Sequence, residues 1–176
     1  RTKVLQNELE AIEKPVRDAV IAERKASGYK GPEPPKAFAR WEFNEDLNDS
    51  AGAIKATLSG GAKLEDGMPV VDGKDGFVAS APITTDIAEK TLEAWVQLDR
   101  LEQGGGAAIS LQTLDGVTFD AIVFGEREAK RWMAGSNGFV RTAPFNGAEE
   151  TEATKRPVHF AIVYQADGMI VGYRDG

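Results

Sequence analysis

The chain has 176 residues, enough for one domain with a sizeable core and a short appendage but not for two full domains. Its formal net charge of −7 argues against sequence-independent binding to nucleic acid or to an anionic membrane, which needs clustered Lys and Arg, and leaves neutral or cationic partners. With no cysteine there is no disulfide, thiolate metal site, iron–sulfur cluster or cysteine nucleophile.

No apolar run approaches the roughly 18 residues of a membrane-spanning helix, and the start "RTKVLQNELE" is too polar for the apolar core of a signal peptide. The opening on Arg1 and the stop directly after "RDG" suggest a piece of a longer protein. From residue 1 to about 26, Leu5, Leu9, Ile12, Val16 and Ala19/Val20 recur every three or four positions, the stripe of an amphipathic helix. Pro15 has no amide hydrogen to donate, so a break or kink is expected near Lys14, or a second helix with Pro15 in its first turn. The stripe suits a helix packed on its own domain or on a neighbouring one, with a partner-binding coiled coil as the alternative. "SGYKGPEPPKA" then concentrates Gly and Pro and reads as a linker.

Beyond it, short β-branched and aromatic runs alternate with Gly, Asp and Asn clusters. The expected strands are "FARWEF", "MPVV", "GFVAS", "TLEAWVQL", "AAISLQTL", "VTFDAIVFG", "KRWMAG", "VHFAIVY" and "MIVGYRD". This texture predicts a sandwich or barrel, not alternating βαβ units. In "TLEAWVQL", Leu92, Ala94, Val96 and Leu98 share one face and Glu93, Trp95 and Gln97 the other. In "VHFAIVY", Phe160, Ile162 and Tyr164 oppose His159, Ala161 and Val163, so a central strand with a second layer on one side is expected. Asp167-Gly168 and Asp115-Gly116 suit tight hairpin turns, and "QGGGAA", with no following Lys-Ser/Thr, reads as a hairpin tip, not a phosphate loop.

Candidate chemistry is sparse. His159 is the chain's one histidine, and no H-E-x-x-H, C-x-x-C or G-x-S-x-G accompanies it, so its expected role is structural. The paired acids Glu126 and Glu128 sit beside Arg127 and Lys130 and read as solvated ion pairs, not as the placed carboxyls of glycoside hydrolysis. "NEDLNDS" offers Asn44, Glu45, Asp46, Asn48 and Asp49 as oxygen ligands, making Asp46 and Asp49 the candidate calcium residues, although such loops commonly form turns. "GEREAKRWMAGSNGFVRT" gathers Arg127, Arg131, Trp132, Asn137 and Arg141: a flat apolar ring among planar donors, the chemistry of a sugar-binding surface. The competing reading has Trp132 in the core and the arginines paired with Asp120, Glu126 and Glu128.

Several phrases taken together resemble a LamG-like jelly-roll domain of the concanavalin A-like lectin/glucanase superfamily: "ARWEFNEDLNDSAG", "MPVVDGKDGFVAS", "TLEAWVQL" and "VHFAIVYQADGMIVGYRDG", in that order over residues 38–176. "ISLQTLDGVTFDAIVFGEREAKRWMAGSNGFVRT" is similar to the version embedded in large planctomycete proteins, often downstream of a c-type cytochrome domain, and "ELEAIEKPVRDAVIAER" to the helix leading into it. The resemblance implies an all-β antiparallel jelly-roll sandwich at 38–176, an N-terminal α-helical connector at 1–27 and a linker at 28–37. The family's returning strands would lie beyond Gly176, and a jelly roll lacking them is expected to be marginal on its own. The implied function is a non-catalytic recognition module of an exported protein, binding a glycan. A structural spacer or contact module between neighbouring domains of the parent chain, with no free ligand, is the alternative, and glycoside hydrolysis stands behind both.

Overall fold

In a computed structural model that describes residues 2–31, 33 and 35–176, the chain is mostly β, with one N-terminal helix and ten strands in antiparallel sheets. Arg1 of the expected connector and Pro32 and Pro34 of the expected linker lie outside the described residues. The chain divides into two compact units, residues 1–40 with 50–53, and residues 41–49 with 54–176.

The first unit is dominated by α1 (Thr2–Ala26). Contrary to the expected break, α1 is one continuous helix with Pro15 inside it. The flanking sequence, rich in Ala, Glu, Lys and Arg, keeps helical preference on both sides of the missing amide, and Lys14 and Asp18 add an i,i+4 ion pair at 2.7 Å. The helix ends in a Schellman motif: Gly28 takes φ 66°, the Gly28 N–H donates to Lys25 O and the Tyr29 N–H to Arg24 O. Leu5, Leu9, Ile12, Val16, Val20 and Ile21 are all exposed.

In the second unit, β1 (Ala56–Ser59) pairs with β4 (Phe77–Ser80), and between them β2 (Lys63–Glu65) and β3 (Met68–Val70) form a hairpin. Its two-residue turn is Asp66-Gly67 at φ 49° and 75°, the positive angles that a type I′ turn requires. The expected strand over "FARWEF" is not formed. Phe43 sits at φ 58°, a left-handed conformation that ends extension, and what remains is an isolated antiparallel bridge from Trp41 to Asp49.

The remaining strands make two larger sheets. One has the order β10 (Ile170–Arg174), β9 (Val158–Tyr164), β5 (Lys90–Val96); the other has β6 (Ala107–Gln112), β7 (Phe119–Phe124), β8 (Trp132–Ser136). Two hairpin turns are the expected ones, whereas "QGGGAA" is no hairpin tip, since it joins β5 to β6 in different sheets. Gly168 at φ 86° closes β9 onto β10, and Gly116 at φ 68° closes β6 onto β7, where Asp115 accepts the Thr113 hydroxyl and the Val117 N–H. No sheet of this unit closes on itself, and the two larger sheets pack in a sandwich-like way.

Alternation explains how the two sheets share a core. Leu92, Val158, Phe160, Ile162 and Tyr164 from the first sheet meet Ile122, Phe124, Trp132 and Ala134 from the second. Burying each large side chain contributes roughly 1.5–3 kcal/mol. The Trp132 ring stacks on Phe160 at 5.2 Å and meets Phe124 at 4.9 Å, tying the layers together. On the opposite face of β7 and β8, Ala121, Val123 and Met133 form a smaller buried cluster.

Polar clamps join the sheets at both ends of this core. At one end, Lys90 of β5 reaches Asp120 of β7 at 2.7 Å, and Arg141 reaches the other oxygen of the same carboxylate at 2.8 Å. Burial alone would raise the Asp120 carboxyl, but the two cations hold it below its usual range. At the other end the fully buried Glu150 carboxylate accepts from Trp132 Nε1, from Arg174 Nε and Nη2, and from the N–H groups of Thr151, Glu152 and Ala153. Here too burial opposes ionisation, yet Arg174, Trp132 and the amides bring the carboxyl down to about 2.

Candidate functional site

Those clamps account for much of the segment in which the sequence suggested a sugar site. Trp132 is buried, its ring faces covered by Phe124 and Phe160 and its N–H given to Glu150. Arg141 is held by Asp120, by the Phe119 carbonyl and by the Asn137 side-chain oxygen. Arg131 donates to the Gly147 carbonyl and lies 3.9 Å from both Glu128 and Glu149. The Arg127 guanidinium sits 4.8 Å above the Phe139 ring. Arg141 and Asn137 are therefore brought together, but not around an open Trp132 ring. Of the five, Trp132 alone lies within a strand and turns into the core, while Arg127, Arg131, Asn137 and Arg141 sit in the turns that flank β8.

The candidate calcium residues serve the backbone. Asp46 accepts the Asn48 N–H and side-chain amide, an Asx turn, and Asp49 accepts the Ile54 N–H at 3.2 Å. Among the described residues no group of three or more His, Asp or Glu side chains is arranged to hold a metal ion.

The arrangement with binding chemistry lies on the outer face of the β10-β9-β5 sheet. Because Leu92 and Phe160 point into the core, period-two alternation turns Trp95 and His159 outward, and the register sets them directly opposite one another. Their rings lie 5.2 Å apart at 44°, and His159 Nε2 is 3.6 Å from the Glu93 carboxylate. Trp95 is 71% exposed, whereas a ring of that size ordinarily buries most of its area. Beside it Asp175 accepts the His159 N–H at 3.0 Å, Arg156 at 2.7 Å and Arg174 at 2.6 Å. The Arg156 bond, followed by the His159 N–H, holds the Asp175 carboxyl below its usual range. Trp95, His159, Arg156 and Asp175 border a shallow hollow of about 390 Å³.

Such a surface offers a flat apolar face flanked by hydrogen-bonding groups of both signs. It suits a ligand with C–H surface on one side and hydroxyls around its rim. The sequence carried half of the signal, since the alternation of "TLEAWVQL" and "VHFAIVY" placed Trp95 and His159 on the faces opposite the core. The pairing that makes them neighbours spans more than sixty residues and depends on strand register.

Compared with family models, with curated proteins and with solved structures, the chain shows no match. Among the described residues no helix is long and apolar enough to cross a membrane.

Proposed function

We propose that this chain is a non-catalytic recognition module that binds a carbohydrate through the outer face of its β10-β9-β5 sheet. The observation that carries the reading is the exposed indole of Trp95, steadied by His159 and flanked by the Arg156–Asp175 pair. Sugar rings present axial C–H groups to aromatic faces, and their hydroxyls take and give hydrogen bonds to the Arg, Asp, Glu and His side chains at the rim. Trp95 and His159 stand on paired strands, so the aromatic part of the site binds with little ordering cost, while Arg156 and Asp175 sit just outside β9 and β10, tied to each other.

The same proposal takes the two larger sheets as the heart of a jelly roll of the concanavalin A-like, LamG-like class, and the parent as an exported protein. The antiparallel two-layer core supports the sandwich, and export rests on the resemblance of the quoted phrases alone. The test is a polysaccharide array probed with the chain and with its Trp95→Ala variant. The proposal expects selective retention that the variant loses while keeping its melting temperature; equal retention of both proteins on every glycan would contradict it. A second reading, a contact module between domains of the parent chain, is favoured by one observation: the exposed Leu5–Leu9–Ile12–Val16 stripe of α1.

A further inference from the structure

The outer sheet face extends well past the hollow beside Trp95. On the β9 strand it continues through Ala161 and Val163, and on β10 through Val171 and Tyr173. Tyr173 is 46% exposed, while Ala161, paired with Glu93 on one side and Tyr173 on the other, is only 6% exposed. The floor between the two aromatic side chains is thus a small side chain overhung by its neighbours. Trp95 and Tyr173 stand two strands apart and two residues out of step, which places them about 12 Å from each other by ordinary sheet spacing.

Charge narrows what such a face accepts. Arg156 and Arg174 both spend a guanidinium nitrogen on Asp175, and Arg174 also grips Glu150. His159 faces Glu93. The charged groups around Trp95 therefore pair with one another and leave no surplus cation for a sulfate or carboxylate, and the chain as a whole carries −7. The surface is locally balanced and rich in groups that suit hydroxyls.

We infer that the recognition surface is extended, with a second stacking subsite at Tyr173, and that its ligand is a neutral linear polysaccharide read over about three linked sugar rings. This rests on the carbohydrate reading of the Trp95 face and adds the length, charge and direction of the ligand. A single ring covers one aromatic side chain; a chain running diagonally over Ala161 reaches both. Joining two weak subsites through one ligand makes the second contact intramolecular, so affinity climbs steeply once the ligand is long enough and then levels off.

The experiment is isothermal titration of the 176-residue chain with neutral cello-, xylo- and manno-oligosaccharides of increasing length, repeated with Trp95→Ala and Tyr173→Ala. Both substituted positions are exposed on the sheet surface, and melting curves confirm that each variant is folded. The inference expects one series to gain tenfold or more in affinity between the disaccharide and the tetrasaccharide. It also expects each variant to lose about tenfold on the long ligand, and the gain in affinity from disaccharide to tetrasaccharide to vanish in Tyr173→Ala. A flat length dependence with Tyr173→Ala indistinguishable from the parent would overturn the extended site while leaving the Trp95 reading in place. Preference for sulfated or uronic-acid oligomers over neutral ones would overturn the charge argument alone. Failure to bind any saccharide, together with a dimer in sedimentation equilibrium that Trp95→Ala dissociates, would overturn the inference and the reading together, because the face would then belong to a second copy.

Discussion

Replacing Glu150 with glutamine probes the deepest polar connection between the sheets. The carboxylate accepts three backbone amides and Arg174 Nη2 at one oxygen, and Trp132 Nε1 and Arg174 Nε at the other. An amide oxygen can keep the first set, but its NH2 then faces two donors, leaving the Trp132 N–H and the Arg174 Nε–H without an acceptor. Two lost bonds to the carboxylate, one of them from a charged donor, amount to roughly 2–4 kcal/mol. The lowered carboxyl, which reflects the same bonds, gives a figure of similar size. A carboxyl lowered from its ordinary 4.5 to about 2 corresponds to about 3 kcal/mol, reduced toward 2 by solvent around the one-third-exposed Arg174. For a chain of this length that is a fall of about 5–10 °C in melting temperature. The sign with pH follows from the lowered value. The native carboxylate's advantage is complete above pH 4.5 and fades as pH falls through the native value near 2, so parent and variant should converge in acid. Urea denaturation of both proteins from pH 7 to 2.5, followed by tryptophan emission, measures the gap. A gap below 0.5 kcal/mol at neutral pH, or one unchanged down to pH 2.5, would refute this account of the clamp.

Asp120→Asn should destabilise by about 1–2 kcal/mol, because Lys90, largely buried, and Arg141, about one-third exposed, lose their shared counter-charge. Since the Asp120 carboxyl is also lowered, the difference should shrink below pH 4 in the same denaturation series. Gly172→Ala places a methyl carbon 2.9 Å from the Phe145 ring, and denaturation should report a loss of about 1–3 kcal/mol; a neutral result would mean that Phe145 swings aside freely.

Both the legible and the illegible parts have physical causes. Strand β5 could be read because alternation of period two survives in a local window, β7 and β9 because they are short runs of β-branched and aromatic residues, and the β9–β10 hairpin because Asp167-Gly168 announces its turn. Strands β1 and β2 escaped notice: in "KLE" one Leu between two charged residues gives no periodicity, and the better clue was the neighbouring Asp66-Gly67 pair. "FARWEF" has strand composition, yet the left-handed Phe43 that interrupts it is set by a turn, not by propensity. Trp132 carried the expected sugar site because it stands among arginines in sequence. Its burial is decided by Glu150, eighteen residues away, and by Phe160 on the facing sheet, and neither relation shows along the chain. Trp95 has the reverse history: its outward direction was readable, but its partnership with His159 awaited the register.

The three tryptophans of the chain offer the most direct view of the central claim. In a 1H–15N spectrum each indole N–H gives its own signal, that of Trp95 from an exposed ring, that of Trp132 from a proton held by Glu150, and that of Trp41 from one held by the Ile54 carbonyl. Titration with a neutral oligosaccharide that the chain binds should move the Trp95 signal progressively while the Trp132 signal stays in place. Movement of Trp132 with Trp95 unmoved would contradict the assignment of recognition to the outer sheet face.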